Sequence, residues 1–340
     1  MSRWSYFLRR LVLAIPVLVF GTSMTFLIIR ASPIDPVLAI IGPQGNQAMY
    51  NDIAQALGLQ QADGTPVPLW EQYIDYITDL FTLNLGQSWV IQPSTPVWEV
   101  VASRAPQTIW LGFWSVLVAI FIGIPLGFYA GLNPNTWSDY TASFGGIVWR
   151  AMPNFWLAVI LTSIMAIGAP LGWYQNFLVD TQVITSPDLT NLHRPVELFA
   201  AFKHILPAAL VLGSSSMGNE MRIGRTAVLE TINSNYVETA KAKGVPPASI
   251  VWKHVFRNAL IPLVPIITGE AFILIGGSII VETVFAINGI GSLFFAAAIQ
   301  GDIPLLGSLA FIFILLTLGM NILQDLLYTI IDPRVGYESN

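Results

Sequence analysis

Long apolar runs alternate with shorter polar segments along this chain, and their lengths predict membrane-spanning helices. A helix needs about 20 apolar residues to cross the roughly 30 Å hydrocarbon core of a bilayer. Six candidate spans follow from this pattern: residues 7–29, 108–130, 141–168, 204–219, 261–286 and 303–331. The fourth is short and rich in serine, so it requires a protein-lined environment. The pattern therefore predicts an all-α integral membrane protein with six transmembrane helices.

The first apolar run follows three arginines, Arg3, Arg9 and Arg10, as the apolar part of a secretory signal peptide would. Its apolar core is longer than the 7 to 15 residues typical of a signal peptide, and no small-residue cleavage site follows it. We therefore expect this run to be retained as the first transmembrane helix.

Basic residues between the spans predict the orientation, because Lys and Arg concentrate in cytoplasmic segments. The N-terminus carries three arginines, and residues 222–257 carry six Lys or Arg side chains. Residues 30–107 hold seven acidic side chains against two arginines, and residues 169–203 hold three acidic side chains against Arg194 and Lys203. This distribution predicts that the two termini and residues 222–260 are cytoplasmic, in the cell membrane.

Residues 31–107 are too long for a plain connection between two spans. They contain "MYNDIAQALGL" and "PLWEQYIDYITDLFTLNLG", and in the second of these the apolar residues recur at helical spacing. We expect a helical cap on the outer face. The predicted organisation is thus residues 1–30 for the cytoplasmic N-terminus and first span, 31–107 for the outer helical insertion, and 108–340 for the core with spans two to six.

Composition limits the chemistry that this chain can perform. It has no cysteine, which excludes disulfides and cysteine-ligated zinc. Its net charge of −5 with only four lysines argues against nucleic acid as a partner. Neither a metal-ligand spacing of histidines nor a Ser-His-Asp set is apparent, so an intramembrane hydrolase is disfavoured and no catalytic residue is assigned.

The polar run "NYVETAKAKGVPPASIVWKH", residues 235–254, lies between two apolar segments. Asn235 and Glu238 stand in a capping-box arrangement, and Gly244 is placed to end the first helix. Pro246 and Pro247 then favour a new helix over about residues 248–258, with apolar and basic stripes at four-residue spacing. A short amphipathic helix held by such breaks suits docking into a groove of a partner protein.

The stretch "ETAKAKG", followed by Pro262 in "ALIPL", resembles the EAA loop of ATP-binding-cassette import permeases. Thr239 departs from the family pattern at its second position. The resemblance extends through "YFLRRLVLAIPVLVFGTSMTFLIIRASPIDP", "PVWEVVASRAPQTIWLG" and "GGSIIVETVFAINGIGSLFFAAAIQGDIPLL" to "LYTIIDPRVGY", and it points to the oligopeptide/dipeptide branch. Asn288 stands where the family more often has proline.

The resemblance implies the type I importer permease fold and a transport subunit that is not itself an enzyme. It further implies a second related permease subunit, two ATPase subunits that carry ATP and magnesium, an external solute-binding protein and a peptide substrate. This chain contains no phosphate-binding loop and is expected to bind no cofactor. The EAA loop would be the coupling helix, and its expected ATPase contacts are Glu238, Ala240, Gly244, Val245, Pro246, Ser249, Trp252, Lys253, Phe256 and Arg257.

Two carboxylates on the fifth predicted span, Glu270 and Glu282, are candidates for the translocation pathway, since intramembrane charges usually face a protein interior or a cavity. The alternative is that they are paired within the subunit or with the partner permease. Oligosaccharides and metal chelates remain alternative substrates for the same type of complex. An ion-driven carrier acting alone is a rival function, and it would require an inverted repeat and a central charge relay.

Overall fold

The computed structural model describes residues 3–42, 45–166, 168–174, 188–261, 263 and 279–331. Within these ranges the regular elements are helical, apart from two isolated antiparallel bridges, Gln60 with Pro66 and Gln87 with Pro96. The helices are α1 (Arg3–Ala31), α2 (Pro36–Ile41), α3 (Gln47–Ala56), α4 (Leu69–Phe81), α5 (Val97–Val118), the π-helical π1 (Ala119–Gly123), α6 (Ile124–Leu132), α7 (Trp137–Ala151), α8 (Asn154–Ile164), α9 (Pro195–Ile232), α10 (Asn235–Ala242), α11 (Pro247–Ser249), the π-helical π2 (Ile250–Phe256), α12 (Arg257–Leu260), α13 (Ile279–Val284), α14 (Ile290–Gln300) and α15 (Ile303–Ile331).

Four helical stretches of the described chain are long and apolar enough to cross a membrane. The helices α1 and α15 confirm the first and last predicted spans. The second span is confirmed as the continuous stretch Val97–Leu132. It begins earlier than predicted, so the expected boundary at residue 107 falls inside α5.

The third and fourth predicted spans differ from their expected form. The third is broken into α7 and α8, which meet at 97°. The break falls at Met152, whose backbone is extended because Pro153 follows it. The fourth is the 38-residue helix α9, which extends well beyond the predicted residues 204–219 at both ends. Most of the fifth predicted span lies outside the described residues.

Two compact units make up the fold. One consists mainly of Gln107–Gly289, and the other combines Ser2–Pro106 with Ile290–Ile322. In this grouping the N-terminal segment and residues 31–106 share a unit with part of the C-terminal region. The helices α5 and α15 each run from one unit into the other.

The central helix of the Gln107–Gly289 unit is α9, which packs against π1, α6 and α7. Glycines make this approach close. A Cβ atom added to Gly123 would lie 2.8 Å from the carbonyl oxygen of Met217, and one added to Gly127 would collide with the backbone of Met221. Small residues at such contacts let membrane helices pack through their backbones. The four-residue spacing of these glycines therefore positions π1 and α6 against α9.

In the unit formed by Ser2–Pro106 and Ile290–Ile322, the amphipathic helix α4 packs on α1. The Tyr73 ring lies 5.4 Å from the ring of Phe26, and its hydroxyl is 2.7 Å from that of Ser23. Between α2 and α3, Tyr50 donates a hydrogen bond to Asp35 at 2.9 Å, which raises the pKa of Tyr50 above its ordinary value. The helices α2, α3 and α4 confirm that residues 31–107 contain helices, and the contacts of Tyr73 join the insertion to the first span.

Asp302 anchors the loop before α5 in the same unit. Its fully buried carboxylate accepts hydrogen bonds from the Ser88 hydroxyl at 2.5 Å and from the backbone amides of Trp89, Val90 and Ile91 at 3.0 to 3.1 Å. A buried carboxylate is stable when several donors surround it in this way. This network joins two stretches of chain that are more than 200 residues apart in sequence.

Candidate functional site

The polar run predicted as a partner-docking segment forms an elbow, which we define as residues 235–260. Its first arm is α10, and its cap differs from the prediction. Ser234, rather than Asn235, is the N-cap, and its side chain makes no capping bond to the helix. The Ser234 hydroxyl instead donates to the carbonyl of Thr231 at 2.6 Å, so the predicted capping box with Glu238 does not form.

The turn of the elbow is the one that the sequence predicts. Gly244 has φ +75°, and its amide donates to the carbonyl of Lys241 at 3.0 Å. The next amide, that of Val245, donates to the carbonyl of Ala240 at 3.2 Å. These two bonds form a Schellman motif, which satisfies the last carbonyls of α10 and needs a left-handed residue at Gly244. The chain then turns into the second arm at Pro246.

The second arm runs from Pro247 to Leu260, longer than the predicted residues 248–258, and its central part is π2 rather than regular α-helix. A π-helix widens the turn, so residues four apart no longer lie directly above one another. Asn258 braces the two arms, because its side-chain amide donates to the hydroxyl of Tyr236 at 3.1 Å and to the carbonyl of His254 at 2.8 Å.

A buried apolar cluster fixes the elbow to the membrane helices. Val237, Ile250 and Val255 are buried together with residues of α6 and α9. At its edge, the ring of Phe256 lies 4.9 Å from that of Phe128 on α6 and 5.2 Å from that of Trp252. The rings of Trp252, Phe256 and Phe128 therefore form a continuous contact from the exposed surface of the elbow to the membrane helix α6.

The predicted contact residues of the elbow occupy three environments. Ala240 is buried against the chain itself. Val245, Ser249 and Phe256 are half-buried. Exposed side chains or backbone occur at Glu238, Gly244, Pro246, Trp252, Lys253 and Arg257. Trp252 is 66% exposed, which is unusual for so large an apolar ring outside an interface or a lipid contact.

Of the two candidate pathway carboxylates, Glu282 is fully buried. Its Oε1 accepts a hydrogen bond from the Thr108 hydroxyl at 2.9 Å, and a Cβ atom added to Gly289 would collide with the carboxylate. This placement favours the alternative in which Glu282 is held within the subunit rather than presented to a solute. Glu270 lies outside the described residues.

The sequence did not indicate an ion pair between α7 and α9 whose carboxylate is buried and whose arginine is partly exposed. Asp139, 1% exposed, receives Nε and Nη2 of Arg225 at 2.5 and 2.7 Å, together with the amide of Asn135 and the hydroxyl of Ser143. The only local signal is Thr136, whose hydroxyl accepts from the Asp139 amide at the start of α7. The arginine lies 86 positions away, so no spacing rule could have paired it with Asp139.

Comparisons with known proteins agree with this arrangement. Residues 123–337 match the family described as "Binding-protein-dependent transport system inner membrane component", and residues 3–112 match its N-terminal family. The chain is 32% identical to the oligopeptide transport system permease protein AppB of Bacillus subtilis, over 98% of this chain and 99% of that protein. It is 33% and 29% identical to the dipeptide transport system permease proteins DppB of Alkalihalophilus pseudofirmus and Escherichia coli, each over 98% of this chain and 99% of the relative.

Among solved structures, a chain from the inward-facing MetNI methionine ABC transporter is similar, with a TM-score of 0.52 and 19% identity. The match covers 70% of this chain and 99% of that chain, and it confirms the predicted importer permease fold. Because the sequence families match nearly end to end and the fold agrees, the chain belongs to the family of binding-protein-dependent transport system inner membrane components.

Proposed function

We propose that this chain is the permease subunit of an ATP-driven importer of di- or oligopeptides. The observation that carries the proposal is the near full-length similarity to relatives named as oligopeptide and dipeptide permeases. A peptide substrate fits this similarity better than an oligosaccharide or a metal chelate. Transport by such a subunit requires alternating access, in which two states of the membrane domain expose the pathway to opposite sides.

The proposed orientation places both termini and the elbow in the cytoplasm of a prokaryotic cell, with the insertion of residues 31–107 outside. The support is the concentration of Lys and Arg at the N-terminus and in residues 222–257. In this orientation the exposed face of the elbow meets cytoplasmic proteins. The insertion meets an external solute-binding protein.

The proposed complex contains this chain, a second homologous permease subunit, two ATPase subunits and the solute-binding protein. This sequence has no phosphate-binding loop, so ATP and magnesium would be held by the ATPase subunits and no cofactor by this chain. Trp252, Lys253 and Arg257 present one apolar and two cationic groups on a braced helix. Such a surface suits a groove with an apolar floor and an acidic rim.

The coupling role is tested by reversing the charge of the exposed face in a Lys253→Glu, Arg257→Glu variant. We expect recovery of the ATPase subunits with this chain to fall about tenfold, because like charges would replace complementary ones at the interface. The matched control is Arg194→Glu, an exposed residue at the opposite end of α9. Recovery and ATP-dependent uptake equal to those of the control would refute the contact.

The substrate is tested with the whole complex in liposomes that enclose ATP. Uptake of a labelled dipeptide should require both ATP and the binding protein. Unlabelled peptides should reduce this uptake by competition, whereas an oligosaccharide or a metal chelate should not. Uptake that persists with this chain alone and follows an ion gradient would support the rival carrier. No ATP-dependent peptide uptake by the complete complex would refute the proposal.

A further inference from the structure

Between α7 and α9 lies a cavity of about 480 Å³ whose charged lining residues are all arginines. Arg150 comes from α7, and Arg222 and Arg225 come from α9. The remaining lining is small or apolar apart from Ser143 and Thr226, and it includes Gly146 and Gly218, where the two helix backbones approach closely. Its volume lies in the range of pockets that bind small molecules.

Two of the three guanidinium groups have no counter-charge within the described residues. Arg150 and Arg222 each donate to the same neutral acceptor, Oδ1 of Asn219, at 3.1 and 3.2 Å. Asp139 cannot neutralise them, because Arg225, Asn135 and Ser143 already occupy both of its oxygens. The shared amide therefore holds two like charges side by side at the cavity wall.

Two adjacent guanidinium groups form a strong site for an oxyanion. Each offers planar N–H donors whose spacing matches a carboxylate, and most of these donors remain available after the bond to Asn219. The mutual repulsion of the two cations is relieved when an anion binds between them. The cavity thus has the electrostatics of an anion-binding site, with apolar space beside it for the rest of a ligand.

We propose that this cavity binds the C-terminal carboxylate of the peptide during its passage, through Arg150 and Arg222. The inference rests on the proposed function and deepens it. A terminal carboxylate is common to every peptide, so its recognition is compatible with varied side chains. Asn219, the acceptor that holds the two arginines, lies six residues, about 9 Å along the helix, from the midpoint of α9 near Gly213.

The first test measures the charge of the cavity without transport. The chain has no cysteine, so Ile147→Cys places a single thiol in the cavity lining. The ratio of its modification rates by an anionic and a cationic methanethiosulfonate reagent reports the local potential, and mass analysis of this chain identifies the product. Replacing Arg150 and Arg222 with Gln should lower the ratio about tenfold. Arg194→Gln in the same Ile147→Cys protein is the control, and it should leave the ratio unchanged. A ratio that is also unchanged when Arg150 and Arg222 are both replaced would overturn the proposal.

The second test identifies the anion. L-alanyl-L-alanine should slow modification of Ile147→Cys by the anionic reagent in the assembled complex, whereas the corresponding dipeptide amide should not. The experiment is repeated in liposomes of phosphatidylcholine alone and with added phosphatidylglycerol. Protection by the anionic lipid without any effect of the dipeptide would assign the site to a lipid phosphate and overturn the peptide proposal.

The third test separates this inference from the proposed function. In complexes that assemble normally, the Arg150→Gln, Arg222→Gln variant should reduce the maximal rate of dipeptide uptake about tenfold. Should that variant fail to assemble, Arg150→Lys with Arg222→Lys keeps the charge but removes the planar fork, and it should retain the reagent ratio while losing dipeptide protection. If the wild-type complex takes up the dipeptide and the variant takes it up equally fast, only this inference is overturned. If the wild-type complex shows no uptake, the proposed function is refuted.

Discussion

At the residue scale, the side chains that organise this protein are buried carboxylates whose donors come from distant parts of the chain. Asp302 precedes α15, and its position before an apolar run could be recognised as a helix cap from sequence. Its bonds to Ser88 and the three amides that follow could not, because no local pattern pairs residues more than 200 positions apart. The pairing of Asp139 with Arg225 could not be predicted for the same reason, because the two residues are 86 positions apart.

Removing the Asp302 carboxylate should be strongly destabilising. In Asp302→Ala, three backbone amides and the Ser88 hydroxyl lose their buried acceptor, which costs about 3 kcal/mol or more. We expect a lower melting temperature of the purified protein and faster proteolysis of residues 85–96. Asp63→Ala, at an exposed aspartate of the insertion, is the control. Equal melting temperatures for the two variants would contradict this account.

At the element scale, hydropathy predicted where the membrane helices lie and missed where they bend or extend. The break at Met152 follows from a single proline in an otherwise apolar run, which an average over the run conceals. The extension of α9 beyond residue 219 carries Arg225, whose ion pair with Asp139 of α7 stabilises this polar stretch. Packing of this kind is a tertiary property, so a window of local sequence cannot predict it.

The close contact of α6 with α9 should not tolerate a methyl group at Gly127. In Gly127→Ala the new Cβ meets the backbone of Met221, which cannot rotate away, and such overpacking costs about 1–3 kcal/mol. The melting temperature should therefore fall. Gly319→Ala on α15 is the matched control, since nothing lies within 4 Å of its added Cβ. A Gly127→Ala protein as stable as this control would show that the two helices can separate without penalty.

The elbow turn should depend on backbone conformation rather than on space. Gly244 has φ +75° and open surroundings, so Gly244→Val suffers from strain alone, whereas Gly244→Asn adopts the left-handed region readily. We expect the valine variant to lose dipeptide uptake per ATP hydrolysed while the asparagine variant retains most of it. Equal coupling in both variants would mean that the Schellman turn is not needed to orient the second arm.

At the scale of the whole molecule, the resemblance of many separate motifs predicted the family and the fold class, whereas the grouping into units required the structure. No charge or hydropathy pattern links residues 2–106 to residues 290–322, because their association consists of side-chain contacts such as those of Val97, Leu293 and Leu305.

The proposed orientation of the whole molecule can be tested with single thiols, because the chain has no cysteine of its own. In Asp63→Cys, a membrane-impermeant maleimide should label intact cells, since the insertion is proposed to be external. In Lys241→Cys, labelling should require permeabilisation, since the elbow is proposed to be cytoplasmic. Both positions are exposed, so access depends only on the side of the membrane. The reverse pattern would invert the orientation.

The discontinuous unit of Ser2–Pro106 and Ile290–Ile322 has a consequence for how the protein is made. A ribosome adds about 5–20 residues per second, so Asp302 emerges roughly 10–40 s after Pro106. During that interval Ser88 and the amides beside it lack their acceptor, and the apolar side of Val97 and Val100 lacks its cover. Residues 2–106 therefore cannot complete their packing until a segment that is synthesised much later has emerged.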